Sequence, residues 1–217
     1  LTHEIMNSIT PITSLSETLL RYYAFSDDSP ANVSEKTISN TIKGLELINE
    51  RGNGLIRFVE SYRKLTRLSK PVLQTISLKT FIDHLLMLLS HEENFSRIRF
   101  SVKINPEDLS VEADEAQLSQ VFINLIKNAI QAVEKADAPQ IEISALKKED
   151  GHTQISVQDN GEGIPAEIIE QIFIPFFTTK ENGSGIGLSL SRQIMKNHGG
   201  TLDAHSIPGK TVFVLNM

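Results

Sequence analysis

Three short segments late in the chain carry residue types suited to gripping a phosphorylated ligand. They are Asp159-Asn-Gly161-Glu-Gly163-Ile164-Pro, then Phe173-Ile-Pro-Phe176-Phe177-Thr-Thr-Lys180, then Gly183-Ser-Gly185-Ile-Gly187-Leu188. Glycine has no Cβ, so its backbone N–H can approach a phosphate oxygen closely. A helix that starts on such a run adds a dipole favouring an anion at its first turn. A carboxylate, an aromatic-basic segment and a glycine ladder opening a helix together supply what holding a nucleotide requires. Alone, each piece has an ordinary explanation, since Asp-x-Gly-x-Gly is most often a tight turn and glycine-rich loops are common. Their succession in one stretch is harder to obtain by chance.

A fourth segment lies upstream. Placed on a helix, residues 114–135 separate into two arcs, with Gln117, Gln120, Asn124, Asn128 and Gln131 within about 40° of Asn124 and Lys127 at the edge. Leu118, Val121, Phe122, Leu125, Ile126, Ala129, Ile130 and Val133 fill the broad remainder. So apolar a helix is largely buried, and its amide stripe must meet water or line a polar cavity, because an unpartnered buried amide costs a few kcal/mol. A solvated stripe would ordinarily be built from Lys and Glu. Asn carbonyl oxygens are hard, neutral ligands suited to Mg²⁺, and Asn124 and Asn128, four residues apart, can present oxygens to one ion.

The elements that must position these groups are legible as patterns. Ile5, Ile9, Ile12, Leu15, Leu19 and Leu20 predict an amphipathic helix over 4–24. Ile38, Ile42, Leu45, Ile48, Leu55, Val59, Tyr62 and Leu65 predict another from about 35 to 68. The segment between them, Ser26 to Ser34, is turn chemistry. Such a hairpin exposes too much apolar surface to stand alone, and two copies paired as a four-helix bundle would cover it. Lys70-Pro71 marks a boundary. Beyond it the patterns predict helices at 78–92, 114–135 and about 185–198, with strands at 98–104, 109–111, 141–146, 153–157, 201–206 and 211–215. Strands interleaved with helices argue one mixed sheet with helices on one face.

Composition narrows the function classes. The chain has 217 residues, 27 acidic against 21 basic, and a net charge of −6, which argues against a nucleic-acid footprint. With no Cys there is no disulfide scaffold and no thiolate metal site, and the six His form no ligand cluster in sequence. The longest apolar runs fall far short of the roughly 18 residues a membrane span needs. The opening Leu-Thr-His, with neither Met nor signal segment, reads as an excised piece whose upstream part is missing.

In this order the motifs resemble those of sensor histidine kinases. Asn124-Leu-Ile-Lys-Asn128-Ala is similar to their N box, Asp159-x-Gly-x-Gly to the G1 box, Phe-Phe-Thr-Thr-Lys180 to the F box and Gly-x-Gly-x-Gly-Leu188 to the G2 box. His3-Glu4-Ile-Met-Asn7 resembles the H box. The stretch Thr178-Thr-Lys-Glu-Asn-Gly-Ser-Gly-Ile-Gly-Leu188, with its very short lid, looks most like the nitrogen-sensor branch. The resemblance implies an α+β protein, with a dimerising, phosphoaccepting helical hairpin at 1–68 and an α/β sandwich ATP-binding domain at 73–217. It implies Mg²⁺ and ATP as cofactors, a homodimer, and the receiver domain of a response regulator as partner. It also implies a cytoplasmic location, and leaves room for a parent protein anchored in the inner membrane through an upstream part.

Residue by residue, the resemblance implies that Asp159 accepts a hydrogen bond from the adenine amino group, and that Asn128, assisted by Asn124, holds Mg²⁺. Gly183, Gly185 and Gly187 would offer backbone donors to the phosphates beside Leu188, and Lys180 is the nearby cation. Gly161 and Gly163 would shape the adenine pocket with Ile164 against the base, while Phe173, Phe176 and Phe177 read as packing residues. His3 would take the γ-phosphoryl group, since imidazole has one neutral nitrogen free to attack while the other carries the proton. Glu4 would orient the ring or accept that proton. Asn7, on the same helical face, would position water to dephosphorylate the partner's aspartyl phosphate.

Three positions depart from the family pattern. Ser8 stands where proline often follows, and Pro11 comes later, where it should bend the helix beside His3. Gln131 stands where many relatives have Lys, leaving the positive charge to Lys180 or Lys127. The Gly209-Lys-Thr-Val-Phe segment lacks a second glycine. Two rivals remain: an ATP-driven clamp built on the same nucleotide fold, and a dimeric interaction module in which ATP is only a structural ligand.

Overall fold

The computed structural model describes residues 2–24, 35–66, 68–180 and 183–217. The chain divides into two compact units, Leu1–Lys64 and Leu65–Met217.

The first unit is a pair of helices, α1 (Thr2–Ala24) and α2 (Glu35–Thr66). α1 runs without interruption across Pro11, although proline cannot donate to the carbonyl of Asn7. The two helices meet where Leu19 covers Gly44, so closely that a Cβ on Gly44 would lie 3.3 Å from the leucine methyls. Much of the apolar stripe read from the sequence stays on the surface: Ile9, Ile38, Ile42, Leu45, Val59 and Tyr62 are all exposed, as are Met6 and Ile56 beside it. Gly52 and Gly54 lie inside α2 without breaking it.

The second unit is built on a five-stranded mixed sheet, in the order β2 (Arg99–Asn105), β4 (Gln140–Lys147), β5 (Thr153–Asp159), β7 (Lys210–Asn216), β6 (Thr201–Ile207). β2 and β4 are parallel and the other pairs antiparallel. Period-two alternation sends Ile141, Ile143, Ile155, Val157, Phe213 and Leu215 to one buried face. There they meet α4 (Glu115–Ala132), through Leu118, Phe122, Leu125 and Ile126, and α5 (Gly187–Asn197), through Leu190, Ile194 and Met195. α3 (Leu78–Leu89) joins α4 by an edge-on contact of Phe81 with Phe122, centroids 5.3 Å apart. The opposite face is polar, with Ser144 Oγ 2.7 Å from Ser156 Oγ and Gln154 donating to Asn216.

One expectation needs correcting. The strands do not all join one sheet, because β3 (Ser110–Ala113) pairs with β1 (Gln74–Ser77) as a separate antiparallel ribbon. β1 is absent from the sequence reading because its four residues are mostly polar and its partner lies more than thirty positions away. In addition, α3 ends at Leu89 rather than near 92, and β5 continues two residues past 157, which carries Asp159 into the sheet.

Candidate nucleotide site

Asp159 is the last residue of β5 and, by strand alternation, shares the inward face with Thr153, Ile155 and Val157, so its carboxyl is buried. That burial pushes its pKa up to about 6, against a smaller downward pull from the Gly161 N–H, which donates to Oδ1 at 2.9 Å. Across the sheet it stands opposite Thr211 on β7, also buried.

The turn after Asp159 is fixed on both sides. A Cβ at Gly161 would lie 2.4 Å from the carbonyl oxygen of Ala132, the last residue of α4, so only glycine fits there. Gly163 has φ +87° and its absent Cβ would meet Ile207 O at 2.6 Å. Ile164 donates its N–H to Ser206 Oγ at 2.8 Å, that hydroxyl pairs with Thr211 Oγ1 at 2.9 Å, and the Ile164 side chain packs on the core. Asn160 ties the turn to the start of β4, donating to Ala138 O and accepting from Gln140 N.

The amide stripe of α4 divides by depth. Gln117 is buried, Asn124 and Asn128 half-buried, Gln120 and Gln131 exposed. Asn124 donates to Ser191 Oγ on α5 at 3.0 Å, while its Oδ1 fills the space a Cβ on Gly187 would need, 2.1 Å away. Asn128 Oδ1 instead accepts from Lys180 Nζ at 3.0 Å, and the same ammonium donates to Gln131 Oε1. Partial burial lowers the Lys180 pKa. Lys127, the other cation considered, is paired with Glu92 at 2.8 Å.

The glycine ladder leads into α5. Phe176, at φ +69°, donates its N–H to Gly185 O at 2.8 Å, and Gly185, at φ +65°, packs against the Phe176 backbone with no room for a side chain. The Gly183 N–H goes to Lys180 O at 3.2 Å. Among the described residues no side chain caps α5, and the N–H groups of Gly187, Leu188 and Ser189 stand in its first turn, where helix geometry leaves them without an intrahelical partner, the arrangement that attracts anions. Leu188 packs on the core. Phe173 is buried, with the Arg192 guanidinium 3.8 Å above its ring centroid.

Asp159, the two glycine turns, Asn124, Asn128, Lys180 and the start of α5 all belong to the second unit. His3, Glu4 and Asn7 belong to α1 of the first; their backbone is helical and their side chains lie outside what the structure describes. Among the described residues no group of three or more His, Asp or Glu is placed to hold a metal. A divalent ion here would rest on neutral amide oxygen, and Asn128 Oδ1 qualifies, since it already faces the lysine cation.

Sequence reasoning missed several supporting residues. Asp114 caps α4, its Oδ1 accepting from Gln117 N and its Oδ2 from Val72 N, both at 3.0 Å, and Gln117 Nε2 donates to Ser69 O. The Asp-x-x-Gln spacing ahead of an apolar helix was the available signal. Ser191, Ser206 and Arg192 carry none, since their roles depend on distant partners. Two surface cavities of about 480 and 770 Å³ lie off the site, one beside Asp114 and the other beside Arg192 and Asp203.

This sheet-and-helix layer with its glycine turns defines an ATPase-type nucleotide fold. Residues 113–217 match the family described as histidine kinase-, DNA gyrase B-, and HSP90-like ATPase. Sensor histidine kinase ZraS of Escherichia coli O157:H7 is 34% identical over 209 residues, covering 96% of this chain and 42% of that protein. The solved catalytic domain of histidine kinase ThkA is 34% identical, TM-score 0.61, covering 67% of this chain and 95% of that one. ThkA in complex with the response regulator TrrA is 27% identical, TM-score 0.66, covering 100% of this chain and 59% of that one. The chain belongs to the sensor histidine kinases, and it spans less than half the length of the curated relatives it matches. Among the described residues no helix is long and apolar enough to cross a membrane.

Proposed function

We propose that this chain is the cytoplasmic transmitter part of a sensor histidine kinase, binding Mg-ATP in its second unit and phosphorylating His3. The observation that carries the reading is the buried Asp159 carboxylate beside a turn that admits only glycine, with an uncapped helix start in the same layer. Asp159 accepts from the adenine amino group, with Gly161, Gly163 and Ile164 shaping the base pocket. Backbone donors of Gly183, Gly185, Gly187 and Leu188 meet the phosphates. Asn128, assisted by Asn124, is the residue for Mg²⁺, which would neutralise phosphate charge during transfer.

The phosphoryl step is a displacement at phosphorus. A neutral His3 nitrogen forms the N–P bond, the bond to the β–γ bridging oxygen breaks, and ADP leaves with that electron pair. Glu4 takes the proton from the other ring nitrogen. The phosphoryl group then passes to an aspartate of a response-regulator receiver domain, and Glu4 with Asn7 supports hydrolysis of that aspartyl phosphate. Residues 1–68 dimerise as a four-helix bundle and 73–217 bind nucleotide; the exposed isoleucines and leucines of α1 and α2 support the bundle. The brief Lys180–Gly183 stretch supports a nitrogen-sensor-like branch. Calorimetric titration with ATP and Mg²⁺ tests the nucleotide part: saturable heat is expected, and its loss in Asp159→Ala. A well-folded chain giving no heat at millimolar ATP would overturn the reading.

A further inference from the structure

Among the described residues, Lys180 is a cation held by neutral oxygens. The ion pairs among the described residues join Lys79 to Glu107, Lys103 to Glu142, Lys127 to Glu92 and Arg192 to Asp203, and Lys180 is in none of them. Its ammonium lies between Asn128 Oδ1 and Gln131 Oε1. Those amides are three residues apart on α4, hence on one face a turn apart, which is why both reach a single donor.

Asn128 Oδ1 is also the oxygen proposed for Mg²⁺. An ammonium and a divalent ion on one oxygen would stand a few ångströms apart, and their repulsion in a partly desolvated site makes joint occupancy unfavourable. We infer that Gln131 docks Lys180 against Asn128, so that this ammonium and Mg²⁺ compete for one amide oxygen and Gln131 sets how strongly nucleotide binding depends on metal. The inference rests on the nucleotide reading above and adds a specificity-determining residue to it.

Without metal, the docked ammonium remains as counter-charge for the phosphates. With metal, it must leave Asn128 and keeps only Gln131. Removing the Gln131 amide therefore weakens metal-free binding, because the ammonium loses one of its two anchors, while binding with metal is unchanged or tighter. Gln131 is exposed, so Gln131→Ala should leave the fold intact, which a thermal melt verifies.

The test is ADP affinity, measured by calorimetry with excess Mg²⁺ and again with chelator, on the intact chain and on Gln131→Ala, Lys180→Ala and the double variant. The ratio of the metal-free to the metal-loaded Kd should rise about three- to tenfold in Gln131→Ala, the scale of one charge-assisted hydrogen bond partly compensated by water. Adding Gln131→Ala to Lys180→Ala should leave the ratio unmoved. An unaltered ratio in Gln131→Ala, or an equal change without Lys180, would overturn the inference alone. A native chain that binds ADP under neither condition would overturn the nucleotide reading, and this inference with it.

Discussion

Asn124 on α4 and Ser191 on α5 are joined by a 3.0 Å hydrogen bond, and the remaining amide oxygen of Asn124 occupies the place of the missing Gly187 side chain. One asparagine thus links the helix of the amide stripe to the start of the helix opened by the glycine ladder. A methyl group at Gly187 would collide with that oxygen, and the flexible amide is what must give way. Gly187→Ala should therefore lower ADP affinity on the order of tenfold, through loss of a placed polar group. Folding should be little affected, because alanine favours a helix over glycine by about 0.5–1 kcal/mol. Calorimetric titration and a thermal melt separate the two effects, and unchanged affinity would argue against this role of Asn124.

Asp159 makes nucleotide binding depend on pH in a direction the structure fixes. Its proposed role needs the carboxylate, whereas burial raises its pKa to about 6. Below that pH, ADP must displace a proton, so affinity should fall by up to tenfold per pH unit between about 6 and 5. In Asp159→Asn the dependence should flatten and affinity be poor throughout.

The same shift has a consequence for stability. Between the usual 3.8 and about 6 the folded chain holds a proton that the unfolded chain has released, so this group's contribution to stability is full below 3.8 and is lost as pH rises through about 6. Without nucleotide, Asp159→Asn should therefore melt at a higher temperature than the native chain at pH 7–8, and the gain should shrink towards pH 4. A lower melting temperature at pH 7–8 would contradict the burial argument.

Asp114 joins the Val72 segment to the first turn of α4. Asp114→Ala removes a helix cap and should cost about 1 kcal/mol, about 2–4 °C in melting temperature for a protein this size. The backbone N–H groups of Val72 and then Gln117 lower its pKa, so this contribution is present above the usual carboxylate range and is lost as pH falls through the lowered value. Melts of Asp114→Ala and the native chain should therefore converge in strong acid, and a constant gap would argue against the cap.

Much of this was legible in the chain itself. The apolar arc of α4, the alternation in β4 and β7 and the glycine run before α5 each register a period or a backbone requirement that needs no partner. The strand predicted over 153–157 stops two residues short of Asp159, yet a carboxylate can hold the next inward position if a buried donor such as Gly161 N–H meets it. The β1–β3 ribbon and the partners of Asn124 and Lys180 were not legible. Lys180 lies 49 positions from Gln131 and Asn124 lies 67 from Ser191, and no local pattern encodes contacts of that separation.

Incubation with γ-labelled ATP and Mg²⁺ tests the central claim most directly, with the native chain beside His3→Gln and Asp159→Ala. The account predicts acid-labile, alkali-stable label on the native chain and none on either variant. Equal label on His3→Gln, or steady ATP hydrolysis by the native chain with no protein-bound phosphate, would contradict it.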